Sequence, residues 1–168
     1  EMRSTGEVLG LSDSFGLAFY KAQDAAQSAL PTEGTVLITV CERDRSEELV
    51  EVGHRFRQLG FDIRATGGTA DFLSAHGVES DPIQKLHEGR PNIVDAITNG
   101  EVDLIVNTPV GKQSVHDDSY IRKSAIKHDI PYITTVAAAM AAAEGIQAFR
   151  EGETGVKSLQ EYHQEIGD

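Results

Sequence analysis

With 168 residues, 39% of them apolar, the chain can build one domain around a single core and carry a short appended segment. Its net charge of −12, from 27 acidic and 15 basic residues, excludes a general nucleic-acid binder, which needs a basic face to release phosphate counterions. It leaves room for a local pocket that takes one small anion. The single cysteine, Cys41, excludes an internal disulfide and reads as a small core residue.

The opening Glu1–Leu11 reads as loop or edge strand. Ser12 to Leu30 reads as one helix, with Ser12 as N-cap and Phe15, Ala18, Ala22, Ala25, Ala26 and Leu30 at helical spacing. Pro31-Thr32-Glu33-Gly34 then breaks the chain, and a domain boundary is placed there. Beyond it strands and helices alternate. Thr35–Val40 is a continuous β-branched run, the pattern of a strand buried on both faces. Ser46–Leu59 is a helix with Leu49, Val52, Gly53 and Phe56 on one stripe, capped by Gly60. Phe61–Ala65 is a short strand, Thr69–His76 a short helix stopped by Gly77, and Val78–Ile83 is weakly extended. Pro91–Thr98 is a helix with proline in its first turn. Asp103–Asn107 is a second buried strand. Residues 117–128 form a helix with Ile121, Ala125 and Ile126 facing inward. Tyr132–Thr135 is a strand, Ala137–Arg150 a helix, and Val156–Ile166 a strand or short helix. The longest run of small apolar residues, Val136–Ala143, is too short for a membrane span. No signal peptide is visible, so a cytoplasmic location without membrane or nucleic-acid partners is expected.

Such alternation predicts an α/β, Rossmann-like parallel sheet flanked by helices. In these sheets ligands sit beyond the carboxyl ends of the strands. After Phe61–Ala65 comes Thr66-Gly67-Gly68-Thr69, leading into a helix. The glycines let backbone approach a ligand and take positive φ, and the helix N–H groups favour an anion. An ordinary tight turn explains the same residues equally well. Lys85 and Arg90 flank the next helix entrance. Asn107 and Thr108 can bond a sugar or base, and Lys112 can reach a phosphate. Arg43 and Arg45 follow the first strand, where salt bridges with Glu47 or Glu48 are at least as reasonable as a pocket role. Gly111-Lys112-Gln113-Ser114 fails the P-loop spacing, because Val106 stands where a glycine belongs. His116-Asp117-Asp118 reads better as an acidic first helical turn than as a metal site. No Ser–His–Asp set can be argued, and Cys41 has no evident base.

Two stretches carry a family resemblance. The opening EMRSTGEV resembles a segment near the end of the second ATP-grasp half of the carbamoyl-phosphate synthetase large subunit. Residues 31–168 resemble that subunit's carboxy-terminal, methylglyoxal-synthase-like allosteric domain, through ATGGT at 65–69, KLHEGRPNIVDAITNG at 85–100, DLIVNTP at 103–109 and IRKSAIKHDIPYITT at 121–135. The resemblance implies that residues 1–30 trail the preceding synthetase domain and that the chain is a fragment. It implies a non-catalytic regulatory module that binds UMP or IMP, with no cofactor of its own. The parent it implies is a ligase that makes carbamoyl phosphate from glutamine, bicarbonate and ATP, with Mg or Mn and K, for pyrimidine and arginine synthesis. Its partners would be the rest of the large subunit, the small glutaminase subunit and possible oligomer contacts. Thr66 and Thr69 match phosphate-binding threonines, with Gly67 and Gly68 between them. Lys85 and Asn107 match pocket residues, and Lys112 stands where the family often has arginine. Thr134 matches a threonine linked to ornithine. Two positions depart: a pocket lysine falls at Ser46, leaving Arg45 or Arg43 to supply the charge, and a threonine falls at Pro109. The lack of tryptophan favours a nucleotide over N-acetylglutamate.

Three other functions compete with this reading. A methylglyoxal synthase needs carboxylates to shuttle protons, and the expected positions hold Thr108-Pro109 and Arg90. The cyclohydrolase of purine synthesis shares the TGGT turn but lacks the opening octet. A structural module with a degenerate pocket needs neither.

Overall fold

The structure, a computed structural model, describes residues 6–108, 115–152 and 156–166. The lysine at 112 and the proline at 109 lie outside these residues, as do the first five of the opening octet. Five strands form one all-parallel sheet in the order β3-β2-β1-β4-β5. They are β1 (Thr35–Thr39), β2 (Asp62–Thr66), β3 (Asp81–Ile83), β4 (Leu104–Asn107) and β5 (Tyr132–Ile133). The helices are α1 (Phe15–Ala25), α2 (Glu47–Gln58), α3 (Gly67–Ala75), α4 (Ile93–Thr98), α5 (Val115–Lys127), α6 (Val136–Arg150) and α7 (Leu159–Ile166). The expected α/β architecture is therefore present, and the tail resolves to a helix.

The β-branched runs fold as their two-residue period requires. Val36 and Ile38 of β1 and Leu104 and Val106 of β4 enter one hydrophobic layer with Phe56, Phe61 and Ile146. Leu37 and Ile105 point the other way, into a layer with Ile93, Ile97, Ile121 and Ala125. No helix among the described residues is long and apolar enough to cross a membrane.

Several expected boundaries and faces are corrected. α1 starts after Ser14, whose hydroxyl accepts the Leu17 N–H at 3.3 Å, and it ends before Gln27 takes a positive φ of 59°. Ser12 and Leu30 lie outside it, although Leu30 still enters the core. Phe15, expected on the inner face, is 74% exposed. The inner face is instead led by Gly16, Leu17 and Tyr20. A side chain at Gly16 would meet Glu144 Cβ at 2.6 Å, and one at Gly145 would run into the Gly16 carbonyl. Close backbone approach, not a large apolar side chain, thus selects the packing face. Tyr20 stacks on Phe149 of α6 with ring centroids 4.6 Å apart. The boundary placed at Pro31 therefore does not divide the packing, because α1 shares this domain's core.

α4 starts at Ile93, with Asn92 as its N-cap, so Pro91 lies outside the helix. Asn92 Oδ1 accepts from Val94 and Asp95, and the Asp95 carboxylate accepts the Asn92 N–H, completing a capping box. Ile126 of α5 is 68% exposed, whereas Ile121 and Ala125 are buried as expected. β5 stops at Ile133, because Thr135 caps α6 by accepting the Ala138 N–H at 3.1 Å.

The α1–α6 contact makes a direct prediction. Gly145→Ala should lower the unfolding free energy by roughly 1–3 kcal/mol, the usual cost of overpacking. Urea denaturation followed by circular dichroism measures it, and an unchanged midpoint would mean that the two helices separate freely.

Candidate functional site

The chain runs from β1 to β2 and β3 on one side of the sheet, then crosses to β4 and β5 on the other. This creates a switch point between β1 and β4, where open α/β sheets hold ligands. Register brings the strand ends level, with Thr39 opposite Asn107 and Thr66 opposite Ile83. A cavity of about 480 Å³ opens there. It is lined by Thr39, Val40, Cys41, Glu42 and Arg45 after β1, Lys85, Leu86 and His87 after β3, Asn107 and Thr108 at β4, Ile93 of α4, and Asp118 and Ile121 of α5.

Hydroxyl groups stitch the rim. The Thr69 side chain is fully buried, and its oxygen both donates to the Val40 carbonyl and accepts the Val40 N–H, each at 3.1 Å. The Thr66 hydroxyl donates to Thr39 Oγ1 at 3.1 Å. Thr108 Oγ1 accepts the Cys41 N–H at 3.0 Å. The structure thus brings Thr66 and Thr69 to the strand ends, but it engages the Thr69 hydroxyl with β1 rather than turning it outward.

No side chain caps α3, and its first turn holds no acidic residue, so its positive end is left uncompensated. Neither Gly67 nor Gly68 has positive φ, which corrects the expected reason for the pair. Space is the reason instead. A Cβ on Gly68 would lie 2.6 Å from Arg45 Nη2, and the approach to Gly67 is open. Arg45 therefore rests its guanidinium on the helix entrance. Its Nε is buried with no hydrogen-bond acceptor, and the salt bridges allowed for with Glu47 or Glu48 do not form. A cationic donor buried without a partner is costly unless an anion completes it.

Arg43 takes the opposite course. It is exposed and pairs with Asp44 at 2.9 Å, so it does not close the cavity. With Asp44, Ser46, Glu48, Thr134 and Thr135 it lines a second groove, of about 640 Å³. Thr134 belongs to this groove and is not brought to the cavity. Arg90 is exposed as well, 3.8 Å from Asp95. Lys85 lines the cavity, its backbone N–H held by the Glu88 carboxylate at 2.8 Å.

The Asn107 side-chain amide donates to Asp118 Oδ1 at 3.1 Å and to the Tyr132 hydroxyl. Burial raises the Tyr132 pKa above its ordinary value. Asp118, Glu42, His87 and Thr39 were not picked out as pocket residues from the sequence. For Asp118 a signal existed: it precedes Ile121 by three residues, so the two share one helix face.

Between the two cavities lies a single 3-10 turn, Glu42–Asp44. Asp44 Oδ2 accepts the Cys41 thiol at 3.1 Å. The Asp44 carboxyl is held down to about 2, first by the Arg43 hydrogen bond, then by Cys41, with a smaller share from Thr108.

An all-parallel sheet flanked by helices on both faces, with a cavity at its switch point, defines an α/β domain of the doubly wound class. The family model described as "MGS-like domain" matches residues 48–134, and the chain belongs to that family. Over nearly its whole length it is similar to proteins named carbamoyl phosphate synthase large chain. It is 50% identical to that of Archaeoglobus fulgidus over 98% of the chain and 15% of the relative. It is 51% identical to that of Gemmatimonas aurantiaca over 98% and 15%. It is 48% identical to the C-terminal section of the Methanopyrus kandleri large chain over 97% and 30%. The chain thus spans about 15% of the length of the full-length relatives it matches. Among solved structures, methylglyoxal synthase from Elizabethkingia anophelis superposes with a TM-score of 0.54 at 16% identity, covering 68% of this chain and 79% of that one. That likeness concerns the fold.

The low Asp44 pKa predicts an acid dependence. A carboxyl depressed in the folded state contributes stability that is present above its unfolded pKa of about 3.9 and is lost as pH falls toward the folded value. Asp44→Asn should be less stable than the parent at pH 7, with the gap narrowing between about pH 4 and pH 2. Denaturation midpoints across that range measure it, and a gap that stays constant down to pH 2 would remove Asp44 from this role.

Proposed function

We propose that the chain is the effector-sensing domain of a carbamoyl-phosphate synthetase large subunit, and that its cavity takes a nucleoside monophosphate, UMP or IMP. The observation that carries this reading is Arg45: a guanidinium laid on the Gly68 backbone, its Nε buried without an acceptor, at the uncapped start of α3. The phosphate would sit between Arg45, the N–H groups of Gly67 and Gly68, and Lys85. Arg45 would thereby supply the charge that Ser46 lacks. Lys112 joins this set by resemblance. Asn107 and Thr108 would face the nucleoside, with Leu86, Ile93 and Ile121 supplying an apolar wall. A volume of about 480 Å³ falls within the ~300–1,000 Å³ of small-molecule sites.

Thr69 would act indirectly, by holding α3 to β1. The second groove would carry the ornithine-linked contact through Thr134. The domain would regulate without catalysing. In a parent ligase using ATP, bicarbonate and glutamine in the cytoplasm, its partners would be the remainder of the large subunit and the glutaminase subunit. Effector binding here and catalysis there would be coupled through differential affinity for two states of that enzyme.

Titration of the chain with UMP, IMP and N-acetylglutamate, followed by thermal unfolding, tests the reading. A nucleotide at 100 times its Kd should stabilise by about 2.7 kcal/mol, with no response to N-acetylglutamate. No shift with either nucleotide would favour a structural module, and turnover of dihydroxyacetone phosphate would favour a synthase. Arg45→Gln and Lys85→Ala should each weaken UMP by roughly tenfold or more, since each removes a charge-assisted phosphate bond of about 1.5–3 kcal/mol. Gly68→Ala should weaken it also, by displacing Arg45 while the fold persists. Unchanged affinity in all three variants would sink the pocket assignment.

A further inference from the structure

The cavity is not uniformly cationic. Beside Arg45, Lys85 and the exposed Glu42, it holds a second carboxylate, Asp118, which the sheet order places toward β4. Arg45 lies over the start of α3, which follows β2, and Lys85 follows β3. Asp118 is bonded to Asn107 where β4 stops. β2 and β4 flank β1, so the strand ends that carry the α3 entrance and Asn107 lie two strand spacings, roughly 10 Å, apart. Inorganic phosphate is too small to touch both. A carboxylate is purely an acceptor, with about four lone-pair positions for donors. Against an anionic ligand it repels, unless the part of the ligand that reaches it carries hydroxyl or N–H donors. Ile121, one turn further along the same helix face, lines the cavity beside it.

Resting on the nucleotide reading above, we infer that Asp118 is the sugar-selecting residue of this site: its carboxylate accepts hydrogen bonds from the vicinal 2′ and 3′ hydroxyls of a ribonucleoside 5′-monophosphate whose phosphate lies at Arg45. Asn107 is the positioning partner. Its amide, held also by the Tyr132 hydroxyl, fixes the carboxylate's orientation between β4 and β5. The site therefore distinguishes ribonucleotides from deoxyribonucleotides, and it does so from α5 rather than from the phosphate-binding turn.

The test is a cycle of two ligands and two proteins. UMP and 2′-deoxyUMP are titrated into the chain and into Asp118→Asn by calorimetry, with inorganic phosphate as a third ligand. The parent chain should bind UMP at least tenfold more tightly than 2′-deoxyUMP, the discrimination of one hydrogen bond to a charged group. Asp118→Asn should lower UMP affinity more than 2′-deoxyUMP affinity, because the deoxynucleotide keeps only the 3′ hydroxyl bond, and so shrink the ratio between the two. A merely structural role for Asp118 would weaken both ligands equally, which overturns the assignment. Equal affinity for the two nucleotides in the parent chain also overturns it, while nucleotide binding itself stands. Binding of neither nucleotide overturns this inference together with the proposed function. Phosphate binding unaltered by the substitution is expected in the first case.

Discussion

The two-way hydrogen bond between Thr69 and Val40 organises this end of the molecule. One hydroxyl takes the N–H and the carbonyl of the residue that follows β1, at 3.1 Å each, in full burial. That ties the first turn of α3 to the exit of β1. The chain leaving β1 must then pass over the α3 entrance, and within five residues it delivers Arg45 onto Gly68. A side chain on Gly68 would occupy the place of that guanidinium. The glycine therefore serves proximity rather than backbone conformation, and the buried hydroxyl serves to hold α3 to β1.

An acidic protein with a cationic cavity is no contradiction. Net charge governs long-range steering and solubility, while a site answers to the few charges within a Debye length of about 8–10 Å. Four arginines here are neutralised locally: Arg43 by Asp44, Arg55 by Glu51, Arg57 by Asp62 and Arg64 by Glu101. Arg45 stands apart because the backbone it rests on offers no carboxylate. The same acidic composition enters the cavity as Asp118, toward β4.

A single 3-10 turn divides the cavity from the second groove. Asp44 belongs to the groove yet accepts the thiol of Cys41, which lines the cavity. Arg43 and Arg45, two residues apart, face opposite sides of this partition.

Much of this was legible in the sequence. The runs TVLITV and DLIVN carry the pattern of strands buried on both faces, and their alternation with helices implies a parallel sheet with ligands expected beyond its carboxyl ends. That logic points to Thr66, Gly67, Gly68, Lys85, Asn107 and Thr108; Lys85, Asn107 and Thr108 line the cavity, whereas Thr66, Gly67 and Gly68 stand at the neighbouring end of β2. What the sequence left open were choices between near neighbours. Periodicity favoured Phe15 as the inner residue of α1, yet Gly16 won because Gly145 on a distant helix allowed backbones to touch. Arg43 and Arg45 were equivalent as sequence, and only the turn geometry sent one to solvent and the other to the cavity. Asp118 read as a helix-start acid, and only the crossing of α5 behind β4 brought it to Asn107. Local pattern determines which residues pair with their own strand or helix, because those interactions span a few residues. The side of a partition a charge faces, and the partner it meets, are set by contacts between segments far apart in the chain, which exist only once the sheet has closed.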